Sequence, residues 1–159
     1  MAIEGPVAGL CLLALAASVS PARADESADK SAIAARLRGF ADAFNARDEP
    51  GLCDIFAPDL IATVPPALET GREAICGRID RLLATPDLRL RYDDPEIREI
   101  IVSGDIAVVR VGWTLTVQKG GARESTQEGG IDVFRRQPDG RWSIARMATF
   151  TMRPNRLLD

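Results

Sequence analysis

The sequence predicts an α+β domain, with three helices followed by a curved antiparallel sheet of about four long strands. Two patterns carry that expectation. Up to Leu83 the apolar residues recur at the three-four spacing of amphipathic helices, and from Leu88 onward the period drops to two, as in strands with one buried face. A chain of 159 residues, 46% hydrophobic and 27% charged, suits one compact domain and excludes a mainly disordered, collagenous or polytopic membrane protein.

Residues 1–24 stand apart from that domain. The apolar run of residues 7–19, followed by Pro21 and the small-x-small sequence Ala22-Arg23-Ala24, reads as a secretory signal peptide cut after Ala24. The run is shorter than the roughly 20 apolar residues of a membrane span, so no membrane attachment is expected once it is removed. Its n-region, Met1-Ala-Ile-Glu4, lacks the usual Lys or Arg. The expected location is periplasmic or secreted. Cys11 leaves with the signal, and Cys53 and Cys76 remain in a compartment where disulfides persist. A Cys53–Cys76 disulfide is the simplest reading of that pair, two independent buried thiols the other. The link would close a loop of about 24 residues and stabilise the fold by roughly 3 kcal/mol.

Residues 25–30 are polar and read as a flexible lead-in to a domain over 31–153, with a tail over 154–159. The first helix carries Ile33, Ala34, Leu37, Phe40, Ala41 and Phe44 on one face and ends near Asn45-Ala-Arg-Asp48. Pro50 and Gly51 open a short second helix with Leu52, Cys53, Ile55 and Phe56, stopped before Pro58. Residues 60–64 form a short strand closed by Pro65 and Pro66. The third helix runs from a Thr70 cap, with Glu73 completing a capping box, through Ile75, Ile79, Leu82 and Leu83 to the Thr85-Pro86 break.

The alternating stretch 88–92 and residues 96–102 are two pieces of one strand, interrupted at Asp93-Asp94-Pro95. Ser103-Gly104-Asp105 turns into a long strand over 106–117. Gly120 and Gly121 turn into 124–136, and Pro138-Asp139-Gly140 into 142–152.

Composition removes several functions. The absence of His excludes Ser-His-Asp and Cys-His nucleophiles and HExxH zinc sites, and a net charge of −3 argues against nucleic-acid binding. There is no P-loop, no GxSxG and no Gly-rich dinucleotide turn, so no cofactor is expected. The Asp93-Asp94-Pro95-Glu96 cluster lacks calcium-loop spacing and reads as a solvated edge. The C-terminal arginines scatter over both faces of their strands.

The succession Phe44-Asn45-Ala46-Arg47-Asp48, Phe56-Ala57-Pro58-Asp59-Leu60, Gly71-Arg72-Glu73-Ala74-Ile75, Ile131-Asp132-Val133-Phe134 and Asp139-Gly140-Arg141-Trp142-Ser143-Ile144 resembles the SnoaL-like, ketosteroid-isomerase-like group of the nuclear-transport-factor-like fold. The resemblance implies a cone: a curved sheet wraps around the long first helix and encloses a pocket, with homodimerisation through the outer sheet face. It implies no single activity, because the fold hosts isomerases, cyclases, hydrolases, dehydratases and non-catalytic binders. Aligned on the isomerases, the oxyanion Tyr falls at Phe40 and the general base near Val64, and neither carries the needed group. Only the family's strand Asp is matched, by Asp132.

Asp132 alternates with Gly130 and Phe134 on the face the resemblance makes concave, where a carboxylate must be paired, protonated or wet. A hairpin centred on Gly121 sets Arg110 opposite Asp132 and Trp113 opposite Gly129; a shift of one residue sends one partner to the other face. Phe40, Phe44, Trp113 and Phe150 are core rings or the walls of an apolar cavity. The reading is an exported domain binding a small apolar molecule, with Asp132 and Arg110 as polar contacts and Phe40, Phe44, Val64, Trp113, Phe134 and Phe150 around it. One alternative is an isomerase, cyclase or hydrolase using Asp132 as acid or base, which requires a raised Asp132 pKa and is opposed by an Arg110 ion pair. Another is a dimer or partner-interaction domain whose cone is filled by Phe40, Phe44 and Trp113.

Overall fold

The computed structural model of the chain describes residues 21–152; the expected signal run up to residue 20 and the tail over 154–159 lie outside the described residues. Helix α1, Pro21–Ala46, buries Ile33, Leu37, Ala41 and Phe44 along one face. It takes in residues 25–30, which the sequence presents as a loose lead-in. Those polar residues have partners that the sequence does not reveal. Glu26 pairs with Lys30 one turn on, and Asp29 accepts the Trp142 indole N–H at 3.2 Å and an Arg136 guanidinium N–H at 2.6 Å. The first turns of the helix are thereby fixed to the far end of the chain.

At its other end α1 leaves the helical region at Arg47, whose φ is 58°. The Arg47 guanidinium donates to the carbonyls of Leu83 and Leu88, and the Asn45 amide makes a two-way bond with the backbone of Tyr92. One turn of helix α2, Glu49–Leu52, and a 3-10 turn, Cys53–Ile55, then lead directly into strand β1, Phe56–Val64. This strand starts earlier than expected because Pro58 lies where the β1 ladder is interrupted, between Phe56 and Ile61, so its missing N–H costs no bond. Pro65 and Pro66 do not end the sheet but connect β1 to a further strand, β2, Ala67–Thr70. Thr70 pairs with Ala62 in that hairpin, so Gly71 and not Thr70 precedes helix α3, Arg72–Leu83, and the expected capping box does not form.

Five strands follow: β3, Leu88–Tyr92; β4, Glu96–Ser103; β5, Ile106–Lys119; β6, Ala122–Arg136; and β7, Trp142–Thr151. Both β3 and β4 pair with β5, so they are two pieces of one edge broken at Asp93-Asp94-Pro95. The sheet order is β2-β1-β7-β6-β5-β3, with β4 also on β5. Every pairing is antiparallel except β1 on β7, which makes the curved sheet mixed. Its concave side closes over α1 with Val109, Val111, Phe134, Trp142 and Ile144. Trp142 is buried, with the Arg136 guanidinium stacked on its ring at 4.4 Å.

Cys53 and Cys76 are joined, with Cα atoms 6.0 Å apart, and tie the 3-10 turn to α3. Arg72 supports the same junction by donating to the carbonyls of Phe56 and Cys53. Replacing both cysteines by alanine is expected to lower the unfolding free energy by about 3 kcal/mol, read as a lower urea midpoint. An unchanged midpoint would show that the link does not support the fold.

Candidate functional site

The β5–β6 hairpin turns on two residues, Gly120 and Gly121, both with positive φ (55° and 84°), as a tight two-residue hairpin requires. Lys119 therefore pairs with Ala122, and the ladder sets Val109 opposite Asp132, Arg110 opposite Ile131 and Trp113 opposite Glu128. A centre on Gly121 puts the register out by one residue. The consequence for Arg110 is complete: it lies on the outer face with its guanidinium 3.7 Å from Glu99 and takes no part in the Asp132 environment. Gly129 faces outward as well, opposite Phe150, whose ring occupies the space a Cβ there would need. Phe150 is half exposed and lines no cavity, while Phe134 is fully buried in the packed core.

Phe40, Phe44, Val64, Trp113 and Asp132 do share one site. They line a cavity of about 250 Å³ between α1, α3 and the concave sheet, together with Leu37, Phe56, Ile75, Ile79, Leu115 and Met147. The cone is not filled by its rings. Phe40, Tyr92 and Trp113 pack against one another at centroid distances of 5.3–6.2 Å and form one wall. The space is slightly below the range of pockets for drug-sized ligands, which begins at roughly 300 Å³, and suits a smaller molecule. The isomerase positions Phe40 and Val64 face this cavity without a hydroxyl or a carboxylate.

The polar groups on the walls are few. Asp132 is only 3% exposed, and no hydrogen bond or ion pair from the described residues reaches its carboxyl. Burial pushes its pKa up to about 7. The contrast is with Asp29, Asp54, Asp59 and Asp139, all held below the usual carboxylate range by hydrogen bonds involving neighbouring arginines. Tyr92 donates its phenol O–H to Glu128 Oε2 at 3.3 Å, and desolvation, reinforced by the Glu128 charge, pushes the phenol far above its ordinary range. It is a neutral donor at any physiological pH. Arg78, exposed on α3, and Thr149 of β7 complete the set.

Tyr92, Glu128, Thr149 and Arg78 are absent from the sequence-based site. Glu128 was legible, because it precedes Asp132 by four residues and period two puts both on the same face. Arg78 sits between the inward-facing Ile75 and Ile79 on α3, a position that decides nothing without the neighbouring sheet. No group of three or more His, Cys, Asp or Glu side chains among the described residues is placed to hold a metal ion.

The Asp132 environment sets a pH dependence. In the unfolded chain the carboxyl ionises near 3.8; folded, it keeps its proton to about pH 7. The folded state binds more protons between these values, so Asp132 costs stability increasingly as pH rises from about 4 to 7, reaching about 4 kcal/mol when fully ionised. Asp132→Asn is expected to match the parent near pH 4 and to exceed its stability by up to that amount at pH 8. Urea denaturation at both pH values measures the difference; a pH-independent gap would mean the carboxyl is not raised.

A family model for the SnoaL-like domain matches residues 37–145. No curated protein matches the chain. Among solved structures, an NTF2-like protein with a cystatin-like fold from Novosphingobium aromaticivorans superposes with a TM-score of 0.69 at 21% identity, over 86% of this chain and 90% of that one. A ketosteroid isomerase-like protein from Erwinia carotovora atroseptica gives 0.64 at 22%, over 78% and 96%. A candidate dehydratase of the NTF2-like family from Streptomyces avermitilis gives 0.66 at 18%, over 81% and 99%. Likeness at these identities establishes the fold and no activity.

Proposed function

The chain belongs to the SnoaL-like domain family, and from that premise we propose that it binds a small, largely apolar molecule in the cavity of its cone. One observation carries the reading: an open space walled by aromatic and aliphatic side chains contains a buried carboxyl that no group among the described residues satisfies. A buried polar group without a partner costs stability, and a ligand supplies the partner. Near neutral pH the Asp132 carboxyl is present in both forms, so it can donate to a ligand carbonyl or accept from a ligand hydroxyl.

The test is a thermal-shift screen of the oxidised protein with small apolar ketones, phenols and epoxides. A ligand at 100 times its Kd is expected to stabilise by about 2.7 kcal/mol, and the gain should vanish in Asp132→Ala. Absence of any shift across these classes would reject the reading.

A second reading is favoured by the same carboxyl. An acid raised to about 7 is poised for proton transfer at physiological pH. Phe40 and Val64 supply neither the oxyanion donor nor the base of the isomerases, so such an enzyme would work through Asp132 with other polar groups of the cavity. Turnover of a compound found in the screen, lost in Asp132→Asn and titrating near pH 7, would establish it.

Export and dimerisation complete the proposal. Export is supported by the apolar run of residues 7–19, the Ala22-Arg23-Ala24 sequence and the disulfide. No helix among the described residues is long and apolar enough to cross a membrane. Dimerisation is supported by the outer sheet face, where exposed Ile101 lies opposite Val108, Val108 opposite Val133, and Ile106 and Ile131 flank them. A contiguous apolar patch of this kind marks an interface. Native mass spectrometry of the protein recovered from its producing cells is expected to show a non-covalent dimer of chains that start at Asp25, each keeping its internal Cys53–Cys76 disulfide. A chain retaining residues 1–24 would overturn export, and a monomer at micromolar concentration would overturn the dimer.

A further inference from the structure

We propose that the aromatic end of the cavity is a subsite for an organic cation, so that the preferred ligand is an apolar molecule carrying an ammonium group. The inference rests on the binding reading and adds the charge class of the ligand.

Its basis is the surroundings of Glu128. Trp113 stands directly across the strand pair from it, and Tyr92 donates its phenol O–H to one carboxylate oxygen. Phe40 packs against both rings, with centroids 5.8 Å from Trp113 and 6.2 Å from Tyr92, and Phe44 lies 4.6 Å from Tyr92. Aromatic faces carry the negative lobe of the ring quadrupole and attract ammonium groups, most strongly where water is excluded. The carboxylate adds a full negative charge among them. The phenol proton is already used on one Glu128 oxygen, which leaves the other oxygen of that carboxylate to accept from a ligand.

Of the remaining charged or titratable wall groups, Asp132 points the same way and Arg78 opposes it. Asp132, buried and without a partner, lies four residues along the same strand face, about 13 Å away at the usual rise. Gly130 between them leaves that stretch of wall without a side chain. The cavity thus contains two acids, a phenol held neutral and one cation, Arg78 of α3, which is solvent-exposed. An incoming carboxylate would meet the like charge of Glu128, whereas an ammonium meets Glu128 and the rings. Placing the cation at Glu128 leaves Asp132 to hydrogen-bond a neutral group at the other end of the ligand.

The experiment is calorimetric titration of the oxidised protein at pH 7.5 with four molecules sharing one phenylbutyl body: the primary amine, its trimethylammonium analogue, the alcohol and the carboxylate. Both cations are expected to bind at least about tenfold more tightly than the alcohol, the scale of one desolvated cation–π contact, and the carboxylate at least about tenfold more weakly. Glu128→Gln, which can still accept from Tyr92, should leave the contribution of the rings and reduce the amine preference several-fold. Arg78→Gln should widen it. A carboxylate that binds as well as the alcohol, or an amine preference undiminished in Glu128→Gln, would overturn the cation subsite while leaving the binding reading intact. Failure of all four molecules, together with a silent Asp132 screen, would overturn the binding reading itself.

Discussion

The register of one hairpin decides what this cavity is. Because β5 and β6 are joined by two glycines with positive φ, residues of opposite parity pair across the strands, and a single-residue change would exchange the inner and outer faces of one strand. With the turn as it is, Asp132, Gly130 and Glu128 face inward together with Val109, Val111 and Trp113. Arg110, Ile131 and Val108 face outward. The same count removes the cation that would have neutralised Asp132, leaves the carboxyl alone in an apolar space, and gathers the apolar residues of the convex side into one patch. Site chemistry and outer surface are two consequences of one turn.

The cavity stays open because its walls are held from outside it. Helix α1 is anchored at both ends by polar contacts, to Arg136 and Trp142 through Asp29 and to Leu83, Leu88 and Tyr92 through Arg47 and Asn45. Helix α3 is fixed by the Cys53–Cys76 link and by Arg72. Neither helix therefore needs to collapse onto the sheet to be held. A cone closed by packing alone would gain by filling its space, since voids forfeit dispersion contacts. Placing the fastenings at the rim lets the interior remain unfilled without losing the helical layer.

This division explains what the sequence could and could not disclose. Elements defined by their own periodicity, α1, α3 and the long strands, were legible, as were the broken edge at Asp93-Asp94-Pro95 and the cysteine pair. Features set by a partner far along the chain were not. The polar start of α1 is helical because Asp29 meets Trp142, more than a hundred residues away. Thr70 fails as a cap because Ala62 claims it for a hairpin. Arg110 was placed beside Asp132 by symmetry about a glycine, and the true centre falls between two glycines. Within the site, Phe40, Phe44, Val64, Trp113 and Asp132 followed from face and family resemblance, whereas Arg78 depends on how α3 leans over the sheet.

The state of Asp132 is the strongest reason to look for function inside the cone. A carboxyl kept only for architecture would be expected to resemble Asp29, Asp54 or Asp59, each bonded to an arginine and lowered in pKa. Asp132 has the opposite character, buried, unbonded and raised. At its position a hydrophobic side chain of similar volume would avoid the desolvation cost and leave no polar atom unsatisfied. Gly130 beside it is also a poor strand residue, lacking a side chain to pack, and it widens the wall between the two acids. A destabilising acid next to a weakly packing glycine, in a cavity the fold does not close, is how a protein is built when the missing partner comes from solution.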